Sequence, residues 1–403
     1  MKRIVVIGAG QAGFSVVSKL RSLGFDGEIT LLGEEPDPPY QRPPLSKAYL
    51  MGDMERERLY FRPERFYSDQ AIDLRLGVRA ESVDPSAQRV GTSDGVIGFD
   101  KLVLATGSSA RRLPAAIGGE LPGVFTVRTL ADIDLLEPLV VEGKSALVVG
   151  GGYIGLEAAA VCRKKGMKVT LLEAADRILQ RVAASETSDY IRTAHQSHGV
   201  DIREGVALAS ITGDGCAEVA EMVDGSRIAC DLVVVGIGIN PNDALARNAG
   251  LVIDNGIATN KFGRTSNPRI WSAGDCASLP YRGGRIRLES VQNAIDQAEC
   301  VAANLLGNET PYDPKPWFWS DQYDVKLQIA GLNTGFDDVV VRPGGSDASV
   351  SHWYYEDADL LAVDAMNDPR AYMIGKRLIE AGLSPAKDEI SDPATDLKAL
   401  LKG

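Results

Sequence analysis

The sequence has few cysteines, no long apolar run and no excess of basic residues, and each shortage excludes a class of protein. Its five cysteines form no CxxC or CxxxxC pair, so neither a disulfide framework nor a dithiol centre is expected. No stretch reaches the roughly 18 consecutive apolar residues of a membrane span. The net charge of -12 disfavours nucleic acid and anionic membranes as general partners. We therefore expect a cytoplasmic protein with free thiols.

Two kinds of catalytic site are also missing from the sequence. His195 and His198 are the only spaced histidine pair, and no acidic or cysteine ligand lies at metal spacing beside them. We interpret the pair as part of a helix face and expect no metal centre. The sequence contains no GxSxG motif, which disfavours a Ser-His-Asp hydrolase.

A repeated pattern organises the 403 residues, a length that suits about three domains. An apolar strand, a glycine turn, a helix and a second strand ending in Glu occur at 4–34 and again at 146–173. Buried strands are predicted at 102–107, 231–236 and 270–275. Because strands that alternate with helices indicate parallel sheets, we expect an α/β fold with two Rossmann-like dinucleotide-binding domains in a glutathione-reductase-like arrangement.

The texture of the sequence changes after Pro316. Aromatic residues gather there, and the alternating run at 338–342 favours antiparallel strands. We expect a C-terminal α+β domain, which ends in a short helix at 396–402.

The first glycine motif, GAGQAG at 8–13, follows a strand at 2–7 and precedes a helix predicted at 14–23. In such a motif Gly8 permits the tight turn, Gly10 lets a pyrophosphate approach the backbone, and Gly13 lets helix and strand pack closely. Glu34, at the end of the second strand, is placed to accept hydrogen bonds from a ribose.

The second motif, GGGYIG at 150–155, has the same strand and helix context, and Glu173 follows at the end of the next strand. A carboxylate there pairs with a free 2'-hydroxyl and repels a 2'-phosphate, which favours NADH over NADPH. Arg177 and Arg181 weaken this charge argument. The residues assigned to NADH are Gly150, Gly152, Tyr153, Ile154, Gly155, Glu173 and Arg181.

Two dinucleotide folds in one chain are most simply explained by a permanent flavin in one and an exchangeable nicotinamide in the other. The alternative is one working site and one vestigial copy, which the retention of all three glycines and the acid in both copies disfavours. The predicted division is an FAD-binding domain at 1–108 and 237–316, an NADH-binding domain at 109–236 and an interface domain at 317–403.

Six further motifs resemble the FAD-dependent NADH:ferredoxin reductases of bacterial oxygenase systems, a group that includes putidaredoxin reductase. The similarity extends from the first residue to about residue 375. The motifs are PYQRPPLSK at 39–47, LATG at 104–107, GIGINPN at 236–242, SAGD at 272–275, ESVQNA at 289–294 and WFWSDQ at 317–322.

This resemblance implies roles for individual residues. Lys47 and Glu157 would form a buried ion pair beside the reactive edge of the flavin, and Trp319 would border the ring on the side where electrons leave. These three are the candidate catalytic residues. Gly238 joins the NADH residues, and the FAD residues are Gly8, Gly10, Gly13, Glu34, Arg42, Lys47, Ala105, Arg111, Asp275, Val291 and Trp319.

The implied activity is hydride transfer from NADH to FAD and then two single-electron transfers to a [2Fe-2S] ferredoxin, which would serve a cytochrome P450 or a ring-hydroxylating dioxygenase. An acidic ferredoxin would need a local basic patch on this acidic protein, and Arg65, Lys326 and Lys376 are the docking candidates. We expect a monomer.

Other flavoproteins share the two-dinucleotide architecture. Disulfide reductases and NADH peroxidases place a redox cysteine in the region after the first βαβ unit, whereas the first cysteine here is Cys162, much later in the chain. Apoptosis-inducing-factor-like proteins and other NADH-dependent flavoproteins without a ferredoxin partner stay open, and ferredoxin-dependent turnover would distinguish them. A nucleotide-binding regulator would lack the yellow flavin colour.

Overall fold

A computed structural model describes residues 2–402 of the chain. The chain forms two compact units, each built from three stretches of sequence. No helix within 2–402 is both long and apolar enough to cross a bilayer. The first unit contains Met1–Arg42, Glu55–Ser109 and Ile239–Pro316, and the second contains Pro43–Met54, Ala110–Gly238 and Trp317–Gly403.

The strands are short, and most belong to small sheets of three or five members. In chain order they are β1 (Arg3–Ile7), β2 (Glu28–Leu32), β3 (Ile72–Arg75), β4 (Ala80–Asp84), β5 (Arg89–Thr92), β6 (Gly95–Gly98), β7 (Lys101–Leu104), β8 (Ser108–Ala110), β9 (Val124–Thr126), β10 (Ser145–Val149), β11 (Lys168–Glu173), β12 (Asp201–Glu204), β13 (Leu208–Thr212), β14 (Val219–Met222), β15 (Arg227–Ala229), β16 (Leu232–Val235), β17 (Ile239–Pro241), β18 (Ile257–Ala258), β19 (Ile270–Ser272), β20 (Ala277–Tyr281), β21 (Gly284–Ile286), β22 (Trp317–Gln322), β23 (Val325–Gly331), β24 (Asp338–Pro343), β25 (Val350–Glu356) and β26 (Asp359–Met366).

The longer helices follow the glycine motifs or cover the sheets. The α-helices are α1 (Gln11–Ser22), α2 (Ala48–Met51), α3 (Glu64–Asp69), α4 (Leu130–Leu136), α5 (Tyr153–Lys164), α6 (Ser185–Ser197), α7 (Ala244–Asn248), α8 (Val291–Leu305), α9 (Pro369–Ala381) and α10 (Lys387–Ser391).

The first unit is built on a parallel sheet with the order β19-β7-β1-β2-β3. Four consecutive residues of β1, Ile4 to Ile7, are buried, which is typical of a parallel strand with both faces covered. On one face α1 and α8 pack together, and Val16, Leu20 and Val301 are fully buried among them. The antiparallel strands β4-β5-β6 precede β7 in the chain.

The second unit repeats this arrangement. Its parallel sheet has the order β12-β11-β10-β16-β9, in which β12-β11-β10-β16 match β3-β2-β1-β7 in position and in chain order. The outer strand differs, because β9 precedes β10 in the chain whereas β19 follows β7. The antiparallel strands β13-β14-β15 precede β16, as β4-β5-β6 precede β7. The chain therefore uses one fold unit twice.

The C-terminal part of the second unit is an antiparallel sheet with the order β22-β23-β26-β25-β24. Helix α9 lies on this sheet, and Trp353, Val363 and Leu378 are completely buried between them. This sheet and helix form the expected α+β domain.

Several element ends differ from the sequence-based expectations. Helix α1 begins at Gln11 and not at residue 14, because the glycine turn leads directly into the helix with Gly10 as its N-cap. Strand β2 ends at Leu32, so Glu34 lies beyond it. The final helix is a single 3₁₀ turn, Ala399–Lys402.

Candidate functional site

The first glycine motif is fixed by contacts that leave no room for side chains. Gly8 has a φ of +109°, and a Cβ atom on it would lie 2.1 Å from the Ala105 carbonyl oxygen. A Cβ on Gly13 would lie 1.9 Å from the Gly8 carbonyl oxygen. Both distances are far below van der Waals contact, so the turn requires glycine at both positions. The start of α1 is thereby held against the end of β1.

Gly10 is different, because the protein around it does not require glycine. Its φ is -87°, which any residue adopts, and a Cβ on it would meet no protein atom within 4 Å. The open approach leads to the N-terminus of α1, where backbone N–H groups and the helix dipole favour an anion. The residues present therefore fit a dinucleotide whose pyrophosphate comes close to the backbone at Gly10.

The second glycine motif repeats these three roles. Gly150 has a φ of +107°, and its Cβ would lie 2.4 Å from the Gly236 carbonyl oxygen. A Cβ on Gly155 would lie 2.1 Å from the Gly150 carbonyl oxygen, whereas the nearest atom to one on Gly152 would be 3.9 Å away. Helix α5 begins directly after Gly152. A second dinucleotide fits here by the same geometry.

The acidic residues of the two motifs are held differently. Glu173 ends β11, and its carboxylate accepts hydrogen bonds from the backbone N–H groups of Gly151 at 2.7 Å and Ala175 at 2.8 Å. Glu34 has 69% of its side chain exposed, and its nearest cation is Arg79 at 3.6 Å. The second acid is preorganised beside its glycine turn, and the first is not.

Arg177 is engaged by its own loop. Its guanidinium donates hydrogen bonds to the carbonyl oxygens of Ala183 at 2.8 Å and Ala184 at 3.3 Å, and also to the Ser188 hydroxyl. These bonds hold the charge of Arg177 in the loop that precedes α6.

Gly238 brings two predicted site residues together. The backbone N–H of Arg111 donates to the Gly238 carbonyl oxygen at 2.9 Å. A Cβ on Gly238 would lie 3.6 Å from a guanidinium nitrogen of Arg181 and 4.0 Å from the Arg111 side chain. Arg111, which the resemblance assigns to FAD, thus lies beside two residues assigned to NADH, and the dinucleotide that it contacts stays a prediction.

Two further residues predicted for FAD, Arg42 and Asp275, each lie in a polar cluster of the first unit. Arg42 forms an ion pair with Glu35 at 2.6 Å, and the Tyr40 hydroxyl donates to the same carboxylate at 2.5 Å. The Ser108 hydroxyl donates to Asp275 at 2.7 Å. Glu35 and Ser108 were not predicted from the sequence. Glu35 stands next to Glu34, which has the spacing expected of a ribose-binding acid, and a lone serine carries no signal.

Two predicted FAD residues are placed by their elements alone. The N–H of Ala105 continues the parallel ladder from β7 by donating to the Ile7 carbonyl oxygen at 2.8 Å. Val291 is half-buried at the first position of α8, which the Ser290 hydroxyl caps by accepting from Asn293 at 3.1 Å.

The candidate catalytic pair is in contact. Lys47 Nζ lies 2.6 Å from Glu157 Oε2, and the Glu157 side chain, on α5, is only 2% exposed. The Ser46 hydroxyl donates to Oε2 at 2.5 Å, and the Ser320 hydroxyl donates to Oε1 at 2.7 Å. A buried carboxylate needs such partners, and Glu157 has three donors. Ser46 and Ser320 stand inside two of the quoted motifs, but their sequence did not show that they meet.

The aromatic residues of β22 alternate between two environments. The Trp319 ring lies 5.5 Å from that of Trp317, and the Phe318 ring lies 4.9 Å from that of Tyr153 in the second glycine motif. The Tyr153 hydroxyl is buried without a hydrogen-bond partner within 2–402, and burial, followed by the charge of Asp364, raises its pKa well above the usual value.

The predicted docking residues differ in their surroundings. Arg65 and Lys326 are exposed. Lys376 forms an ion pair with Glu380 one turn later on α9, so its charge is partly offset. All three stay predictions as contacts for a partner.

Two glycine-turn dinucleotide sites on repeated parallel sheets, followed by an antiparallel domain, define a class of oxidoreductase that uses a flavin and a pyridine nucleotide. The chain belongs to the pyridine nucleotide-disulphide oxidoreductase family, whose model matches residues 2–298. Residues 317–401 match the reductase C-terminal family.

Relatives match the whole chain. Rhodocoxin reductase of Rhodococcus erythropolis is 45% identical over 399 residues, covering 98% of this chain and 93% of its own. A ferredoxin–NAD(P)(+) reductase of a Sphingomonas species is 43% identical over 401 residues, covering 98% and 96%. The reductase in a crystal structure of the covalent putidaredoxin reductase-putidaredoxin complex has a TM-score of 0.96 and 38% identity, covering 100% of this chain and 98% of that one.

These findings confirm the resemblance stated from the sequence, the fold class and the assignment to FAD- and NAD(P)H-dependent oxidoreductases. The family name refers to disulphide chemistry, but this chain has no cysteine before Cys162 that could perform it. The first cysteine, Cys162, is buried in α5, and burial raises its pKa to about 12.

Proposed function

We propose that this chain is an NADH-dependent ferredoxin reductase, which delivers electrons singly to a [2Fe-2S] ferredoxin that serves a cytochrome P450 or a ring-hydroxylating dioxygenase. The observation that carries the proposal is the Lys47–Glu157 ion pair at 2.6 Å, whose carboxylate is buried, in a chain whose full-length relatives include proteins named as ferredoxin reductases. Residues 317–401, which carry Trp319, are part of that similarity.

Flavin, when bound, accepts two electrons as a hydride and releases them one at a time, which is why it can join NADH to an iron-sulfur protein. The chain supplies orientation and charge. Lys47 would lie beside the flavin, where its ammonium would stabilise negative charge on the reduced cofactor. Glu157 holds that ammonium by their ion pair.

The assignment of residues to the two dinucleotides is part of the proposal. FAD would be held by the first glycine motif with Arg42 and Asp275, and NADH by the second motif with Glu173. The corresponding division is an FAD domain at 1–108 and 237–316, an NADH domain at 109–236 and a C-terminal domain at 317–403. Trp319 would border the flavin on the side where electrons leave.

The preference for NADH over NADPH follows from charge. The preorganised carboxylate of Glu173 would accept hydrogen bonds from a ribose and repel a 2'-phosphate. Arg177 would not reach out to a 2'-phosphate, because its guanidinium is bonded to carbonyl oxygens of its own loop. The ratio of kcat/KM for NADH and NADPH tests this part directly.

We propose that an acidic ferredoxin docks near Arg65, Lys326 and Lys376, since the net charge of -12 requires a local basic surface. We also propose a monomer in the cytoplasm. Reversing the charge of Lys326 should raise the KM for ferredoxin and weaken its dependence on salt, and leave NADH oxidation by ferricyanide unchanged.

Rapid mixing tests the function as a whole. The purified yellow protein is mixed anaerobically with NADH and then with candidate [2Fe-2S] ferredoxins, and cytochrome c reduction reports turnover. We expect fast flavin bleaching by NADH and cytochrome c reduction that depends on ferredoxin. Fast bleaching without turnover by any ferredoxin would contradict the acceptor, and a colourless protein would contradict the flavin.

A further inference from the structure

A line of buried polar side chains continues from the Lys47–Glu157 pair into the C-terminal sheet and ends at helix α6. It passes through Ser320 and Gln322, which share one face of β22 because they are two residues apart. It ends at His195, which is 0% exposed. Ser320 and Gln322 are also buried, at 0% and 2% exposed.

The chemistry of the groups fixes the direction of every hydrogen bond in this line. The Gln322 carbonyl oxygen can only accept, so His195 Nε2 donates to it at 2.8 Å. The Gln322 amide nitrogen donates to the Ser320 oxygen at 3.0 Å. The Ser320 hydrogen is then directed to Glu157 Oε1, at 2.7 Å. An ionised carboxylate only accepts, which is consistent with all donors pointing towards Glu157.

The fixed direction places a hydrogen on Nε2 of His195. Its Nδ1 is buried without a hydrogen-bond partner within 2–402, so no acceptor stabilises a second proton there. Burial lowers the pKa of His195 to about 4, which keeps the ring neutral near pH 7. The Tyr323 ring packs edge-on against it at 5.0 Å.

Such a line is poorly suited to moving protons. The amide of Gln322 is its middle member, and an amide passes a proton only by changing its bonding or turning over. It is well suited to holding an orientation, because each member is buried and uses its donor on the next.

We propose that Ser320, Gln322 and His195 are positioning residues for Lys47, acting through Glu157. Their line of donors holds Glu157 Oε1 from the C-terminal sheet, and this leaves Oε2 in the one orientation that serves Ser46 and Lys47. The proposal rests on the proposed function, since it matters for catalysis only if Lys47 lies at the flavin.

Loss of the Ser320 hydroxyl has a definite consequence. Glu157 Oε1 would remain buried without its donor, so the carboxylate would turn towards its other partners, Lys47 and Ser46. The Lys47 ammonium, which is already in contact with Glu157, would then follow the carboxylate and lose its fixed position at the flavin. We expect slower hydride transfer and a more negative flavin potential, without weaker NADH binding.

The test compares Ser320→Ala with a matched control at Thr187. Thr187 lies on α6, as His195 does, and is 0% exposed. Its hydroxyl hydrogen-bonds Asp364 and His352 in the same C-terminal sheet, each at 2.8 Å. Thr187→Val therefore removes a buried link between the same helix and sheet that does not lead to Glu157. FAD content and thermal unfolding confirm that each variant is folded.

Three readouts are taken on the holoprotein. For Ser320→Ala we expect a flavin reduction rate at saturating NADH about tenfold lower, an NADH dissociation constant within about twofold of the wild type, and a more negative flavin midpoint potential. Thr187→Val should match the wild type in all three. Gln322→Met, which keeps the volume but removes both hydrogen bonds, should show the Ser320→Ala pattern more weakly.

Nitrogen-15 NMR of the histidines gives a readout that does not depend on turnover. The chain has only three histidines, so their signals can be assigned individually. We expect His195 as the neutral Nε2–H tautomer in the wild type. A wild type reduced rapidly by NADH, with Ser320→Ala indistinguishable from it in rate and potential, would overturn the inference and leave the proposed function intact. Equal slowing by Thr187→Val would also overturn it, and a wild type that NADH does not reduce would instead contradict the proposed function.

Discussion

The two dinucleotide-binding halves share the backbone geometry of their glycine motifs but hold their acidic residues in different ways. In both halves a Cβ on the first or third glycine of the motif would come within 2.4 Å of a carbonyl oxygen. Glu173, however, is fixed by two backbone N–H groups, whereas Glu34 is 69% exposed. The packing of strand, turn and helix dictates the glycines. In the proposed function the acid would contact the ligand, and a preorganised carboxylate would suit a cofactor that must bind and leave repeatedly.

The largest effect is expected from a methyl group at the third glycine of either motif. Gly13→Ala and Gly155→Ala each place a Cβ about 2 Å from a backbone oxygen, which cannot move without shifting the turn. Overpacking of this kind should lower the free energy of unfolding by about 3 kcal/mol or more. Gly13→Ala should also lose its flavin, whereas Gly155→Ala should retain it. Denaturant unfolding measures the free energy of unfolding, and flavin absorbance measures the flavin content. Wild-type stability in either variant would show that its turn has room for a methyl group.

The second glycine separates folding from binding. Gly10 and Gly152 have φ values of -87° and -80°, and a Cβ on either would meet no protein atom closer than 3.9 Å. Gly10→Ala and Gly152→Ala should therefore keep unfolding free energies within about 0.5 kcal/mol of the wild type.

Their binding should nevertheless suffer, each for its own ligand. We expect Gly10→Ala to bind FAD about 100-fold more weakly, since a methyl group would stand where the pyrophosphate approaches. Gly152→Ala should keep its flavin and bind NADH about 100-fold more weakly. Titration of apoprotein with FAD and of holoprotein with NADH measures the two constants. Destabilisation as large as that of Gly13→Ala would mean that the fold itself requires these glycines.

The sequence predicted what depends on local spacing and missed what depends on tertiary register. The glycine turns were predictable because their three positions act within a few residues. The line from Glu157 through Ser320 to His195 was not, since it joins three elements far apart in the chain. His195 was interpreted only as part of a helix face, and no periodicity distinguishes a histidine that packs on a sheet from one in solvent.

Elements with little burial were also missed. The antiparallel strands β4, β6 and β15 bury at most one residue each, and they therefore show little hydrophobic alternation. Strands β5 and β14 do bury alternate residues, but each has only four residues, the shortest length over which alternation can be recognised. Helix α9 did carry a usable signal, because Asp368 caps it, Pro369 occupies its first turn, and Ala371, Ile374 and Leu378 recur at helical spacing.

A smaller effect should distinguish the two acids. Glu173→Ala should lower the preference for NADH over NADPH about tenfold, because it removes both the ribose acceptor and the repulsion of a 2'-phosphate. Glu34→Ala should weaken FAD binding by less than this factor of about ten, because the Glu34 carboxylate is exposed and weakly held. Glu173→Gln is the control, since it removes the charge and keeps one carbonyl oxygen, which replaces the acceptor for either the Gly151 or the Ala175 N–H but not for both. An unchanged cofactor preference in Glu173→Ala would show that another residue reads the ribose.

The smallest effect concerns acid, and it also separates the halves, because all three histidines lie in the second unit. Burial lowers the pKa of His195 to about 4, below the ordinary value of 6.5. The unfolded chain therefore binds the additional proton first, and the stability contributed by neutral His195 is complete above pH 6.5 and lost as the pH falls towards 4. Between pH 7 and 6 this loss of stability amounts to roughly 0.7 kcal/mol.

The control variant must separate His195 from Asp364. Burial raises the pKa of Asp364 to about 6, which changes the stability with pH in the opposite direction. The wild type is therefore compared with His195→Gln, in which Asp364 is unchanged. Unfolding free energies of the two proteins should converge as the pH falls over this interval, and parallel curves would mean that His195 is protonated or exposed near pH 7.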